Sequence, residues 1–172
     1  MLIQKNLKCL FILLGLLLTA GCAKKAPLAP GDLAPDFRLN TIDNKRFYLN
    51  EHAGKVVMLN FWAPWCSVCK TEMVHLEKIY TKYKNNGFVL AGINTEEQDV
   101  DGAKVIAQEY RLTYPVLTDS KTRTVKLYGV EVLPHTVLID RKQKVRFIHS
   151  GFKESDIRII TEEIELLLKE EK

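Results

Sequence analysis

The sequence predicts one α/β domain with a central mixed β-sheet, helices on both faces and a short β extension on its N-terminal side. Three observations predict this class. Short apolar segments typical of strands alternate with segments of helical periodicity through the middle of the chain. Two strand-like segments near the C-terminus surround a three-residue turn and precede an amphipathic segment. Because 47% of the 172 residues are hydrophobic, one compact core is feasible.

The individual elements follow from local patterns. The predicted strands are residues 37–39, 46–49, 56–61, 88–94, 116–117, 136–139 and 144–148. The predicted helices are residues 67–85, 100–110, 124–128 and a last helix capped by Ser155. Residues 56–61 form a nearly continuous apolar run, which is typical of a central strand covered on both faces. In the last helix, Ile157, Ile160, Ile164 and Leu167 recur at helical spacing and predict its buried side.

The start of the chain has the pattern of a secretory signal peptide. Lys5 and Lys8 precede an apolar run at 10–18, followed by the small residues that signal peptidases recognise. The uncharged stretch is shorter than the roughly 20 residues that a bilayer span needs, so we do not interpret it as a transmembrane anchor. The segment Leu-Thr-Ala-Gly-Cys resembles a bacterial lipoprotein cleavage site, although the usual leucine stands one position early. It predicts lipidation of Cys22, with simple cleavage after Ala23 as the alternative.

These signals divide the chain into three parts. We assign residues 1–21 to the signal peptide, 22–33 to a lipid-anchored tether and 34–172 to the folded domain. The tether is polar and contains prolines, as expected of a spacer. This division predicts an extracytoplasmic protein attached to a membrane. Because the charges nearly balance once the leader is removed, no basic face predicts nucleic-acid binding.

The cysteines carry the clearest chemical signal. Once Cys9 leaves with the signal and Cys22 is lipidated, only Cys66 and Cys69 remain. A disulfide across so short a loop stabilises a fold little, which indicates a chemical role. The pair stands where a strand ends and a helix begins, and free N–H groups and the helix dipole stabilise a thiolate there. We therefore expect Cys66 to be the exposed, low-pKa nucleophile and Cys69 the resolving thiol. The alternative, half of a zinc site, lacks a second cysteine pair, so no metal is expected.

The residues around the cysteines resemble a known family. The segment 61–70, Phe-Trp-Ala-Pro-Trp-Cys-Ser-Val-Cys-Lys, resembles the active site of thioredoxin-fold proteins. Its flanks at 34–37, 54–62 and 133–140 are similar to the TlpA/ResA-type thiol-disulfide oxidoreductases, which work outside the bacterial inner membrane. The resemblance covers about residues 34–168. It implies a thioredoxin-like fold, a redox-active disulfide and no bound cofactor.

The resemblance also assigns residues near the disulfide. In the family, the proline matched by Pro134 is cis and lies against the cysteines, and the backbone of the residue matched by Leu133 pairs with substrate. The alternative for Pro134 is an ordinary proline at the start of a strand. Trp65 is expected to be exposed and to contact substrate, whereas Trp62 is assigned to packing. The family commonly has proline where this chain has Val68, so the direction of electron transfer stays open.

Glu72 and His135 are further candidates. Glu72 lies three residues after Cys69, on the same side of the predicted helix. In the TlpA/ResA-type family, a partly buried glutamate here takes and returns the proton of the resolving thiol, and we expect that role for Glu72. The alternative is a solvated helix carboxylate. We interpret His135 as a satisfied or surface histidine, with stabilisation of the Cys66 thiolate by its cationic form as a second possibility.

The expected function is the reduction of disulfides in exported proteins. The resemblance implies apocytochrome c as a substrate type and a membrane electron donor of the DsbD/CcdA type. A peroxiredoxin-like peroxidase stays open because the Ala-Pro-Asp-Phe opening occurs there too, but such enzymes usually have Thr or Ser where this chain has Ala63. A non-enzymatic copper-binding assembly protein also stays open because Cu(I) prefers thiolates, although relatives with that role space their cysteines one residue wider.

Overall fold

The computed structural model of the protein describes residues 26–96 and 99–170. The predicted signal peptide and the lipidation site at Cys22 lie outside the described residues and stay predictions. Within these two ranges, no helix combines the length and the apolar character that crossing a membrane requires.

In the described part of the chain, seven strands form one mixed sheet in the order β2-β1-β5-β4-β3-β6-β7. Numbered along the chain, β1 to β7 are Arg38–Thr41, Arg46–Tyr48, Val56–Trp62, Phe88–Asn94, Val116–Thr118, His135–Ile139 and Val145–Ser150. Strand β3 is parallel to β4 and antiparallel to β6, and β4 is parallel to β5. Because β3 is an interior strand between β4 and β6 and is covered on both faces, every one of its residues is buried, as its apolar run predicts.

The helices cover both faces of this sheet, as predicted. They are α1 Ser67–Tyr83, α2 Val100–Glu109, α3 Arg123–Tyr128 and α4 Asp156–Lys169. Buried residues of α1, α2 and α4 share one core with the sheet. A second core on the opposite face joins α3 to the β1–β2 hairpin. The predicted α/β class with an N-terminal β extension is therefore confirmed.

Strand β3 divides its side chains between the two cores because successive residues of a strand point to opposite faces. Met58 and Trp62 pack in the core that contains α1, whereas Val57, Leu59 and Phe61 pack in the core that contains α3. Asn60 has the same parity as Met58 and Trp62. A buried amide is thus placed on the side of the sheet that α1 covers.

Two helix ends differ from the sequence predictions. Helix α1 ends at Tyr83 rather than near residue 85, and a short 3-10 turn then leads to Gly87, whose φ of 82° suits glycine. Ser155 occupies the N-cap position of α4, as predicted, but its side chain does not cap the helix. Its backbone is already helical, with φ −58° and ψ −26°, and its side chain makes no capping hydrogen bond to the helix. A capping side chain is typically presented by an extended backbone, so this helical conformation does not favour the bond.

The segment before the predicted domain boundary is part of the fold. The backbone N–H of Gly31 donates to Val145 at 2.7 Å, and that of Ala34 donates to Gln143 at 2.8 Å. The Tyr128 hydroxyl donates to the carbonyl of Pro35 at 2.8 Å. Contacts with the β6–β7 hairpin therefore begin several residues before the predicted boundary at residue 34.

Candidate active site

Cys66 and Cys69 lie where β3 leads into α1, as the sequence predicts. They form a disulfide with their Cα atoms 5.3 Å apart. Cys66 is the N-cap of α1: its backbone is extended, and its Sγ accepts a hydrogen bond from the backbone N–H of Cys69 at 3.2 Å. Because this N–H and the positive end of the helix dipole favour negative charge, the position suits a Cys66 thiolate.

The two sulfurs differ in their access to solvent. Cys66 is 7% exposed and Cys69 is 0% exposed. The expectation of an exposed Cys66 is therefore wrong for the disulfide form, in which its Sγ is bonded to Cys69. Cys66 is nevertheless the more accessible of the two, which is the order that attack by Cys66 and resolution by Cys69 require.

Trp65 stands next to Cys66 and presents its indole ring to solvent, with 69% of the residue exposed. Its Nε1 donates a hydrogen bond to Oε1 of Glu96 at 2.7 Å. The backbone N–H of Glu96 in turn donates to Oδ1 of the buried Asn94 at 3.1 Å. The exposed ring is thus anchored to the end of β4, whereas Trp62 is fully buried and packs in the core.

The peptide bond between Leu133 and Pro134 is cis. Strand β6 begins directly afterwards, and its first residue, His135, pairs with Phe61 near the end of β3. This register brings the cis bond to the same end of the sheet as the cysteines. Within the described part of the chain, the backbone N–H and C=O of Leu133 have no hydrogen-bond partner, so they are available to an extended peptide.

His135 is a buried histidine rather than a cation beside the thiols. Its Nδ1 lies 3.0 Å from the Ser150 hydroxyl, and its ring meets that of Phe61 edge-on with the centroids 6.0 Å apart. Burial, together with the nearby His149, lowers the pKa of His135. Its neutral form is therefore favoured at neutral pH, which argues against the possibility that a cationic His135 stabilises the Cys66 thiolate.

Glu72 projects from α1 into the interior. It is 1% exposed, which excludes the alternative of a solvated helix carboxylate. Asn60 Nδ2 donates to Glu72 Oε2 at 2.7 Å, and the Thr136 hydroxyl donates to Glu72 Oε1 at 3.4 Å. Glu72 is thus a hydrogen-bonded carboxyl group one helical turn beyond Cys69.

Burial raises the pKa of Glu72 to about 7. The hydrogen bonds from Asn60 and Thr136 lower this pKa, and the charge of Asp156 raises it, so that desolvation has the largest effect. A carboxyl group that titrates near neutral pH can both accept and return a proton under ordinary conditions. This is the property that the expected role of Glu72 requires.

Sequence reasoning missed Asn60 and Thr136, the two partners of Glu72. The available signal was Asn60 inside the otherwise apolar strand β3, and Thr136 beside His135 at the start of β6, whose other residues are apolar. Asn60 and Thr136 face each other in the β3–β6 pairing. Within residues 26–96 and 99–170, no group of three or more His, Cys, Asp or Glu side chains is placed to hold a metal ion.

Comparison with known proteins gives a consistent family match. The sequence profile of the AhpC/TSA family matches residues 30–148. The chain is 35% identical to the thiol-disulfide oxidoreductase ResA of Geobacillus thermodenitrificans over 128 residues, covering 74% of this chain and 73% of that protein. It is also 35% identical to ResA of Bacillus anthracis over 123 residues, covering 72% of this chain and 70% of the relative.

Solved structures agree with these sequence matches. A Chlorobium tepidum protein assigned as thiol:disulfide interchange protein DsbE has a TM-score of 0.77 and 34% identity, covering 82% of this chain and 99% of its own. A Bacteroides thetaiotaomicron protein assigned as a protein disulfide isomerase has a TM-score of 0.77 and 32% identity, covering 83% of this chain and 92% of its own. The thioredoxin-like fold predicted from the sequence is confirmed by these likenesses.

Proposed function

The chain belongs to the AhpC/TSA family of thioredoxin-fold proteins and is a thiol-disulfide oxidoreductase, and from this premise we propose that it reduces disulfides in exported proteins. The observation that carries the proposal is the arrangement of the Cys66–Cys69 disulfide at the start of α1 with the buried Glu72 one turn beyond it. The Cys66–Cys69 pair accepts and donates two electrons as it cycles between disulfide and dithiol. Glu72 can accept and return the accompanying proton.

The reaction starts from the reduced protein. The Cys66 thiolate attacks one sulfur of a substrate disulfide, which breaks the substrate S–S bond, forms a mixed disulfide and releases the first substrate thiolate. Glu72 accepts the proton of the Cys69 thiol. The Cys69 thiolate then attacks Cys66 Sγ, which forms the Cys66–Cys69 disulfide and releases the second substrate thiolate. Two electrons have passed to the substrate, and Glu72 returns its proton to the released thiolate.

Two surface features support recognition of a polypeptide. The backbone groups of Leu133, which have no partner among the described residues and lie beside the cis Pro134, can hydrogen-bond an extended segment of substrate. The exposed indole of Trp65, adjacent to Cys66, offers an aromatic surface held in place by Glu96. A cysteine-bearing segment lying along both would present its sulfur to Cys66.

The location is proposed from the sequence patterns at the start of the chain, and the partners are proposed from the family resemblance. We propose that residues 1–21 are removed, that Cys22 is lipidated and that the domain works outside the cytoplasm, attached to a membrane. A donor of the DsbD/CcdA type would reduce the disulfide again after each turnover. Apocytochrome c, whose haem-attachment cysteines must be reduced, is the proposed substrate type, and no cofactor beyond the disulfide takes part.

The alternatives have less support. A peroxidase would normally have a hydroxyl three residues before its attacking cysteine, and that position holds the buried Ala63. The copper-binding alternative uses Cys66, Cys69 and a histidine, and no group of three or more His, Cys, Asp or Glu side chains in the described part of the chain is placed to hold a metal ion. Stoichiometric Cu(I) binding by the reduced protein without disulfide reduction would favour that role over the proposed one.

The test uses a peptide that contains Cys-x-x-Cys-His with its cysteines oxidised. The reduced protein should convert it to the dithiol. Cys69→Ser should accumulate a mixed disulfide between Cys66 and the peptide, visible by mass spectrometry, because the resolving thiol is missing. Cys66→Ser is the matched control and should form none. If Cys69→Ser traps no peptide while Cys66→Ser does, the assigned roles of the two cysteines are reversed.

A further inference from the structure

Three buried polar side chains from three different elements meet in the interior, one helical turn beyond Cys69. Glu72 comes from α1, Asn60 from β3 and Thr136 from β6, and each is at most 1% exposed. Asn60 Nδ2 donates to Glu72 Oε2 at 2.7 Å and to Thr136 Oγ1 at 3.0 Å. Thr136 Oγ1 lies 3.4 Å from Glu72 Oε1. The carboxyl group is therefore contacted at both oxygens from the central sheet.

The amide of Asn60 is oriented by the carboxylate. Both of its N–H donors are used, one by Glu72 and one by Thr136, whereas Asn60 Oδ1 is buried without a partner among the described residues. With an ionised Glu72, the opposite orientation would place Oδ1 against Oε2, and two acceptors repel each other. An unpaired buried oxygen is unfavourable. The observed orientation nevertheless leaves Oδ1 unpaired, because it allows the amide to make hydrogen bonds that favour an ionised Glu72.

Thr136 can adapt to either protonation state. Its hydroxyl donates to Glu72 Oε1 when the carboxyl group is ionised, and it can rotate to accept from Oε1 when that oxygen carries a proton. Asn60 has no such freedom because its Nδ2 can only donate. Oε2 is thus fixed by the short bond to Asn60, and Oε1, with the longer bond, is the oxygen able to receive a proton.

We propose that Asn60 and Thr136 are positioning residues that orient Glu72 so that Oε1 takes the proton of Cys69, and that they keep Glu72 able to ionise at neutral pH. This inference rests on the proposed role of Glu72. The proton passes from Cys69 Sγ to Glu72 Oε1 and later to the leaving thiolate, so no further reactant is needed.

The other groups that face Glu72 do not stabilise its negative charge. Asp156, at the start of α4, adds a like charge that raises the pKa of Glu72. Tyr114, which precedes β5, is neutral because burial raises its pKa, with Glu77 and Glu72 contributing. Among the residues that the structure describes, no cation shifts the pKa of Glu72. Asn60 and Thr136 are therefore the groups that offset the desolvation of its charge.

The experiment measures the rate at which the reduced protein reduces an oxidised peptide between pH 5.5 and 9. Glu72→Gln should remove a transition near neutral pH that the unaltered protein shows. Asn60→Leu should move that transition to higher pH by about one unit, a tenfold change in the ionisation equilibrium, because a hydrogen bond to a charged group is lost. Thr136→Val should cause a smaller shift in the same direction, and Thr136→Ser, which keeps the hydroxyl, should restore the original transition.

Double variants separate a positioning role from a general structural one. In the Glu72→Gln background, Asn60→Leu should leave the pH profile unchanged because no carboxyl group is left to position. If Asn60→Leu and Thr136→Val both keep the original transition while Glu72→Gln removes it, Glu72 acts without them and the inference is wrong. If Glu72→Gln itself leaves the profile unchanged, the proposed role of Glu72 fails first. If Asn60→Leu does not fold, the near-isosteric Thr136→Val decides alone. A shift of its pH transition to higher pH supports the inference, and an unshifted transition contradicts it.

Discussion

Replacing Glu72 by Gln should make the stability of the oxidised protein much less dependent on pH. Burial raises the pKa of Glu72 from its ordinary 4.5 to about 7. Because one pH unit corresponds to about 1.4 kcal/mol, this difference amounts to about 3 kcal/mol of folding free energy. Glu72 is 1% exposed, so solvent screening does not reduce this figure substantially.

The sign of the effect follows from proton binding. Between pH 4.5 and about 7, Glu72 holds its proton in the folded state and has lost it in the unfolded state. The folded state then binds more protons, so the free energy of unfolding falls as pH rises through this interval. Below pH 4.5 both states are protonated and the unfavourable contribution vanishes. Above pH 7 the full cost of the buried charge is present.

Urea unfolding of the oxidised protein at pH 4.5 and pH 8 measures this effect. From pH 4.5 to pH 8, the free energy of unfolding of the unaltered protein should fall by about 3 kcal/mol more than that of Glu72→Gln. All other titrating groups are common to both proteins, so their contributions cancel. Glu154→Gln, which changes an exposed carboxylate, serves as the control and should follow the unaltered protein. Parallel pH dependences for the unaltered protein and Glu72→Gln would refute the argument that Glu72 titrates near neutral pH in the fold.

Three further substitutions test other parts of the structure. Trp65→Ala should raise KM for a peptide disulfide several-fold but change the free energy of unfolding by less than about 0.5 kcal/mol, because the ring is exposed; steady-state kinetics and urea unfolding measure the two. Gly92→Ala should destabilise the protein by about 1–3 kcal/mol, since a Cβ would lie 3.0 Å from the Tyr114 ring; an unchanged urea midpoint would contradict this. Asp119→Ala should cost about 1–2 kcal/mol in thermal unfolding, because the carboxylate accepts from the N–H groups of Arg123 and Val125 at the start of α3, and a stable variant would show that the cap is dispensable.

The sequence predicts the strands and helices where the pattern is local. The apolar run of β3 and the segment 88–94 of β4 have the predicted positions because burial on both faces selects continuous apolar residues. The cysteine pair lies at the predicted junction because the apolar strand pattern changes to a helical pattern there. Ser155 is at the predicted N-cap position, but its side chain makes no capping hydrogen bond because that bond also depends on the backbone angles of the residue, which composition does not determine.

The surroundings of the disulfide could be predicted only in part. Glu72 is identified by its helical spacing from Cys69 and by a family resemblance, but its burial depends on how α1 packs on the sheet. Asn60 and Thr136 are 76 residues apart in sequence and become neighbours only through the β3–β6 register. The side-chain hydrogen bond from Trp65 to Glu96 likewise joins residues from different loops. Long-range contacts of this kind leave no periodic trace in the sequence.

The midpoint potential of the Cys66–Cys69 couple tests the proposed reductase function most directly. It is measured by equilibrating the protein with thiol–disulfide buffers of defined ratio and quantifying its free thiols. A value near or below about −250 mV, close to that of thioredoxin, is the predicted result and indicates a reductase that depends on an electron donor. A value near about −120 mV would contradict the proposal, because the protein would then form disulfides in its partners rather than reduce them.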